Sequence, residues 1–246
     1  MLEKKPSVLD IFAAPGGFSD GFRQAGFDIK ATIDKDRWGC MTLRYNFRRN
    51  VSVIEKDIIS LSPISAQDNI GVKQLDVIIG GPPCQGFSNV GRIKSASLNC
   101  GIYNEDNRNH LYIYLIKFIE HFNPMFIVME NVPYIVKFKD GEITKNILYM
   151  LEKMGYRIEV NILNSAWYGV PQFRKRAIFI GNNLGIKNPW GKLIKKDNKY
   201  ITVGEAISDL PNLKPNEGEE ESNYNKEPLS NYQIIMRDSK ILYNHV

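Results

Sequence analysis

The chain has 246 residues, a mass of 28.2 kDa, 43% apolar and 24% charged residues, and a net charge of +5. One sizeable domain with its own core is within reach of that length, and the mild positive charge permits a polyanionic partner without demanding one. No stretch offers the ~20 apolar residues of a bilayer span, the first residues hold no signal-peptide core, and Cys40, Cys84 and Cys100 form neither a metal-like pair nor an even disulfide set; a reducing compartment is expected.

Taken in order, residues 7–13 read as a short apolar strand, Ala14-Pro15-Gly16-Gly17 as a turn, and residues 18–25 as a helix. Strand, glycine turn and helix present backbone N–H groups and a positive helix end to a ligand. The spacing is not G-x-G-x-x-G, and Pro15 removes one N–H, so the match to a dinucleotide fingerprint is weak and an ordinary strand-to-helix turn competes with it. A second strand over 27–33 ends at Asp34, about twenty residues past the turn, where a carboxylate can accept from ribose hydroxyls. Trp38, one helical turn on, either covers an adenine or ribose face or fills the core. A third strand over 51–54 is followed by Asp57 and Ile58, at the place where its loop would reach an adenine edge. One acid per strand end predicts a nucleoside-containing cofactor.

The apolar run Leu75, Val77, Ile78, Ile79 stops at Gly80-Gly81-Pro82-Pro83, and Cys84 follows. A strand closed by Gly and Pro places the next side chain at the carboxyl edge of a sheet, where open α/β folds bind ligands. A free cysteine is commonly a small buried hydrophobe. Here the polar neighbours Gln85, Ser88 and Asn89 favour a positioned nucleophile. Residues 89–109 read as a long mixed-charge loop, either a lid that closes over substrate or a disordered insertion.

Residues 110–122 have helical periodicity, with Leu111, Leu115, Phe118 and Phe122 on one face. The apolar strand 125–129 then ends at Glu130-Asn131-Val132-Pro133. If this strand lies parallel beside the one before Cys84, Glu130 and Cys84 share a rim, and a buried Glu130 next to Asn131 becomes a candidate proton donor. Its competing role is a helix N-terminal charge. A helix over 142–154 precedes a strand pair at 156–163 and 176–181, and between them Arg174 and Arg176 sit at i and i+2 on extended backbone. Guanidinium forks there suit a base carbonyl or a phosphate; a solvated edge is the alternative. A basic stretch at 187–200, a short helix within 202–210 and an acidic loop at 217–221 follow, and residues 1–185 and 186–246 are expected to be a catalytic domain and an extension.

Four segments, Asp10 to Gly21, Gly81 to Ser88, Glu130 to Val132 and Gln172 to Arg176, occur in the order and spacing of one family. The sequence resembles the S-adenosylmethionine-dependent cytosine-5 DNA methyltransferases, from about residue 7 to 181 and more weakly beyond. The resemblance implies an α/β, Rossmann-like methyltransferase fold, a mostly parallel sheet flanked by helices. It also implies double-stranded DNA as partner, a restriction–modification setting, and a cytoplasmic, bacterial or phage-encoded protein that is nucleoid-associated when acting. Phe12, Ala13, Gly16 and Gly17 would line the methionine and ribose part of S-adenosylmethionine, Asp34 and Lys35 its ribose end, Asp57 and Ile58 its adenine, and Pro83 and Leu111 its sulfonium. Cys84 would attack carbon 6 of a flipped-out cytosine, Glu130 would protonate ring nitrogen 3, and Arg176 would hold the base and Glu130, with Arg174 and Gln85 auxiliary. The chain departs from the family at Ala14-Pro15, where Gly and a small residue are commoner. A target-recognition region and a C-terminal pocket segment have no match here, which predicts a truncated chain or the catalytic subunit of a split enzyme whose second subunit supplies them. The alternatives are a tRNA cytosine-5 methyltransferase and a non-catalytic remnant that binds nucleic acid or cofactor.

Overall fold

The computed structural model describes residues 4–47, 50–83, 110–193, 200–219, 221–224, 226–237 and 241–243. Strands and helices alternate: β1 (Ser7–Ile11), α1 (Gly17–Gln24), β2 (Asp28–Asp34), α2 (Arg37–Phe47), β3 (Ser52–Glu55), α3 (Pro63–Ile70), β4 (Val77–Gly80), α4 (Leu111–Phe122), β5 (Phe126–Asn131), α5 (Glu142–Lys153), β6 (Arg157–Asn164) and β7 (Lys175–Asn182). They build a seven-stranded sheet of order β3-β2-β1-β4-β5-β7-β6, in which β1 to β5 run parallel and β7 is antiparallel to β5. After these come α6 (Trp190–Leu193), α7 (Val203–Ile207), α8 (Asn231–Met236) and an antiparallel pair, β8 (Glu221–Asn223) with β9 (Ile241–Tyr243).

The apolar runs explain the layers. Every residue of β1 and β4 is buried, as a strand covered on both faces requires. On one face, Leu9, Ile11, Ile33 and Ile78 pack with Leu115, Phe118 and Ile119 of α4 and Ile147 and Leu151 of α5. On the other, Val8, Ile29, Val77 and Ile79 meet Phe18 and Phe22 of α1 and Leu43 and Phe47 of α2. Helix α4 buries seven of its twelve residues and stops at Asn123, left-handed at φ 43°, before Pro124. Helix α3, absent from the expected elements, carries legible signals: Ser62 caps it by accepting from the Ser65 N–H, Pro63 opens it, and left-handed Gly71 closes it.

Residues 1–162 with 176–190 form one compact unit, and 163–175 with 191–246 form another. A single cut after residue 185 does not produce this division, because the turn between β6 and β7 groups with the later residues. Glycine is required at Gly80, the last residue of β4. A Cβ there would stand 2.8 Å from the Ile11 carbonyl oxygen and 3.2 Å from a Leu115 methyl. Gly80→Ala is expected to destabilise the first unit by roughly 1–3 kcal/mol, the usual cost of overpacking, read as a lower urea midpoint at unchanged m-value.

Candidate active site

Strand order reverses between β1 and β4, the place where open α/β sheets leave a crevice beyond their carboxyl ends. A cavity of about 260 Å³ lies there. Phe12 and Ala14 reach it from the end of β1, Asp34 and Lys35 from β2, Lys56, Asp57 and Ile58 from β3, Gly81 and Pro83 from β4, and Leu111 from the start of α4.

The turn after β1 is bent tightly around the end of β2. Phe12 and Ala14 both hold positive φ, at 65° and 48°, conformations that cost non-glycine residues about 1–3 kcal/mol each. They are held by hydrogen bonds from the Phe12 and Ala13 N–H groups to the Ile33 carbonyl (2.9 and 3.2 Å) and from the Ala14 N–H to Asp34 Oδ2 (2.7 Å). Asp34 Oδ1 accepts from the Asp36 N–H at 2.8 Å. This carboxylate is therefore oriented by two backbone donors. Gly16 caps α1 at φ 97°, and a Cβ on it would strike Leu43 at 2.6 Å. Lys35 Nζ lies 3.0 Å from Asp57 Oδ2, and Asp57 Oδ1 accepts from the Ile59 N–H. That N–H, with Lys35, holds the Asp57 carboxyl below its ordinary value.

Beneath the turn, Asp10 is fully buried on β1 and accepts from Ser19 Oγ at 2.6 Å. Burial pushes its carboxyl up to about 7. Its Oδ1 has no hydrogen-bond partner, and neither has the buried hydroxyl of Thr32, its register neighbour on β2.

Strands β4 and β5 pair in parallel, Gly80 opposite Met129, so Glu130 lies beside the Gly81-Pro82-Pro83 turn. Glu130 Oε1 is 2.5 Å from Arg176 Nε, a contact made possible because β7 lies beside β5. Its Oε2 faces Gly81, where a Cβ would stand 3.4 Å away. Both side chains of the pair remain about a quarter to a third exposed (25% and 30%), so Glu130 is not buried as expected: it sits at the sheet rim. Asn131, buried, turns away from Glu130 and donates to the Pro82 carbonyl at 3.1 Å, tying the turn to β5.

The structure thus gathers Phe12, Asp34, Lys35, Asp57, Ile58, Pro83 and Leu111 around one cavity, and Glu130 with Arg176 on the neighbouring rim. Cys84, Gln85 and the loop 89–109 lie outside the described residues. Ala13, Gly16 and Gly17 do not line the cavity: the Ala13 side chain joins the apolar cluster beneath the turn, Gly16 packs on Leu43, and Gly17 begins α1. Trp38 does not fill the core: it is 69% exposed on α2, and it is not among the residues lining the cavity. Arg174 belongs to the second unit, its side chain exposed and its backbone N–H donated to Asn164 Oδ1. Ala14, Ile33, Lys56 and Gly81 went unforeseen as lining residues. Lys56 could have been found from its place between the β3 end and Asp57.

The sequence profile of the C-5 cytosine-specific DNA methylases matches residues 7–244. The chain is 41% identical to the type II methyltransferase M.DdeI of Desulfomicrobium norvegicum, over 98% of its own length and 57% of that protein's. It is 32% identical to the type II methyltransferase M.AquIA of Picosynechococcus, over 87% of its own length and 92% of that protein's. A crystal structure of a DNA modification methyltransferase encoded within an Escherichia coli prophage superposes with a TM-score of 0.71 and 29% identity, covering 85% of this chain and 56% of the other. The chain therefore spans just over half the length of the first of these relatives.

Proposed function

Because the chain belongs to the C-5 cytosine-specific DNA methylase family, we propose that it carries the catalytic part of a DNA cytosine-5 methyltransferase that acts through a covalent Cys84 adduct. The observation that carries this reading is the shared rim: the turn leading to Cys84 leaves β4 beside the Glu130–Arg176 pair, next to the cavity at the β1–β4 crevice.

The cavity fits the cofactor of this family. Its walls are apolar at Phe12, Ile33, Ile58, Pro83 and Leu111, as an adenine and the carbon chain around a sulfonium need, and Asp34 stands ready for ribose hydroxyls. Bound there, S-adenosylmethionine supplies an electrophilic methyl group for carbon 5. Asp34→Ala removes a carboxylate whose bonds to neutral donors are worth about 1.5–3 kcal/mol each. A drop of about 10- to 100-fold in S-adenosylmethionine affinity is expected by calorimetry.

Carbon 5 of cytosine is too weak a nucleophile unless the ring is activated. The Cys84 thiolate adds to carbon 6, forming a C–S bond, while Glu130 delivers a proton to ring nitrogen 3. Arg176, gripping Oε1, leaves Oε2 as the oxygen facing the turn. After methylation, loss of the carbon 5 proton expels Cys84 and restores the ring. An unperturbed thiol of pKa about 8.5 is only a few per cent thiolate at neutral pH, so a cation placed beside it would aid the step. The target base must leave the duplex, at a cost of roughly a few kcal/mol. Target recognition is assigned to sequence carried by the longer relatives, supplied in the same or a second polypeptide.

The test is trapping on duplex DNA containing 5-fluorocytosine, where fluorine blocks the final elimination. With S-adenosylmethionine, a denaturant-resistant protein–DNA adduct is expected from wild type and none from Cys84→Ser. Adduct formation on tRNA but not DNA would reassign the substrate. No adduct on either, with or without the rest of a relative's chain added, would overturn the catalytic reading.

A further inference from the structure

The strained turn after β1 is held from two sides. Phe12, Ala14 and Gly16 all have positive φ, which Phe and Ala adopt only where their surroundings impose it. On the β2 side, the Ile33 carbonyl and Asp34 Oδ2 hold the N–H groups of Phe12, Ala13 and Ala14. On the other side, α1 has no cap of its own, because Gly16 at its N-cap offers no side chain. Asp20 in the first turn is spent, with Oδ1 on Arg23 and Oδ2 on Gln24. The first intrahelical bond runs from the Asp20 N–H to the Gly16 carbonyl at 2.8 Å, so the Ser19 N–H needs an acceptor from outside the helix. Asp10 supplies it from the strand beneath. Its Oδ2 accepts from the Ser19 hydroxyl at 2.6 Å, the Ser19 N–H bonds to the same carboxyl, and both residues are fully buried. The strained turn therefore lies inside a ring closed between residues 10 and 19. Asp10 does not itself line the cavity, so whatever it does for a ligand there passes through the turn.

We propose that Asp10 is a positioning residue for S-adenosylmethionine binding: through Ser19 it fastens the first turn of α1 to β1 and so keeps Phe12, Ala14 and Asp34 in the shape the cofactor needs. The inference rests on the reading of this cavity as the cofactor site and names a residue outside the cavity that governs it. Three parts of the wall depend on the turn. Phe12 and Ala14 belong to it, and the Ala14 N–H is one of the two donors that orient the Asp34 carboxylate. With the tie to Ser19 cut, the start of α1 is free to let Phe12 and Ala14 relax towards ordinary φ, and the donor to Asp34 leaves with them. Apparent affinity then falls by the fraction of molecules that still hold the competent turn. Asp10 acts by accepting hydrogen bonds, so an amide oxygen at the same place does what an alanine cannot.

The experiment is calorimetry of S-adenosylmethionine with the 246-residue chain, paired with hydrogen exchange over residues 12–19. Ser19→Ala removes the hydroxyl donor and is expected to weaken binding about three- to tenfold, at unchanged one-to-one stoichiometry and with faster exchange in the turn. Asp10→Ala is expected to weaken it about tenfold or more, whereas Asp10→Asn stays within about threefold of wild type, because asparagine caps a helix as well as aspartate does. A merely structural role would lower the number of binding-competent molecules and leave the dissociation constant of the rest alone. That pattern would overturn the proposal, as would wild-type affinity in Ser19→Ala or an Asp10→Asn chain that binds as poorly as Asp10→Ala. Should Asp10→Ala fail to fold, Ser19→Ala and Asp10→Asn decide the matter. A wild type that binds no S-adenosylmethionine would instead overturn the cofactor reading, and exchange in the turn of Ser19→Ala would still show whether the tie to Asp10 holds it.

Discussion

Replacing Glu130 with glutamine is expected to slow methyl transfer by about 10²- to 10⁴-fold, the range spanned by loss of a positioned acid. Glutamine keeps the length of the side chain, and its amide oxygen can still accept from Arg176 Nε, so the rim keeps its shape. What it cannot do is hand a proton to ring nitrogen 3. The loss should therefore fall on the rate, with the affinities for DNA and S-adenosylmethionine within a few fold of wild type. Fluorocytosine trapping should slow in parallel, because addition of the thiolate to carbon 6 depends on the same proton. Arg176→Lys is a useful companion: a point charge replaces the planar fork, and a smaller fall in rate is expected. A Glu130→Gln enzyme turning over at a rate close to wild type would remove Glu130 from the proposed chemistry.

Asp10→Asn is expected to remove a pH dependence of stability that the wild type carries. The Asp10 carboxyl titrates at about 7 in the folded chain because burial opposes its charge, against an ordinary value of 3.8. Between these values the native state holds a proton that the unfolded state has lost, so wild-type stability falls as pH rises from about 4 to about 7. Below the window the neutral acid is at home in the core. Above it, a buried charge persists with Ser19 as its hydrogen-bond donor. The neutral amide escapes this. The variant should gain on wild type by up to about 1.4 kcal/mol per pH unit across the window, read from urea unfolding at pH 5, 6, 7 and 8. A constant difference over that range would show that Asp10 is not the titrating group.

Most strands were legible because both faces of the sheet are covered, and covered strands appear as unbroken apolar runs such as Val77 to Ile79. The acids at the strand ends were legible for a related reason. A carboxylate interrupting apolar sequence at Asp34, Asp57 or Glu130 marks where the chain leaves the core. Register, neighbours and side-chain direction were not legible. Asn131 was read as a companion of Glu130, but it serves the Pro82 carbonyl, because successive residues on a strand face opposite ways. Trp38 does not fill the core, since the α2 residues that meet the sheet are Cys40, Leu43 and Phe47.

By itself, then, the sequence determined the alternating strand–helix order, the acids at the strand ends and the family to which the four segments belong. These depend on residue type and spacing along the chain. Only the tertiary structure decided that β5 lies between β4 and β7, which brings Arg176 against Glu130 from 46 residues away in sequence. Only the fold, likewise, buried Asp10 beneath the turn after β1 and left the apolar residues of α7 and α8 outside. Burial and strand neighbourhood arise from contacts between distant segments, and the long-range packing that sets them leaves no local pattern to read.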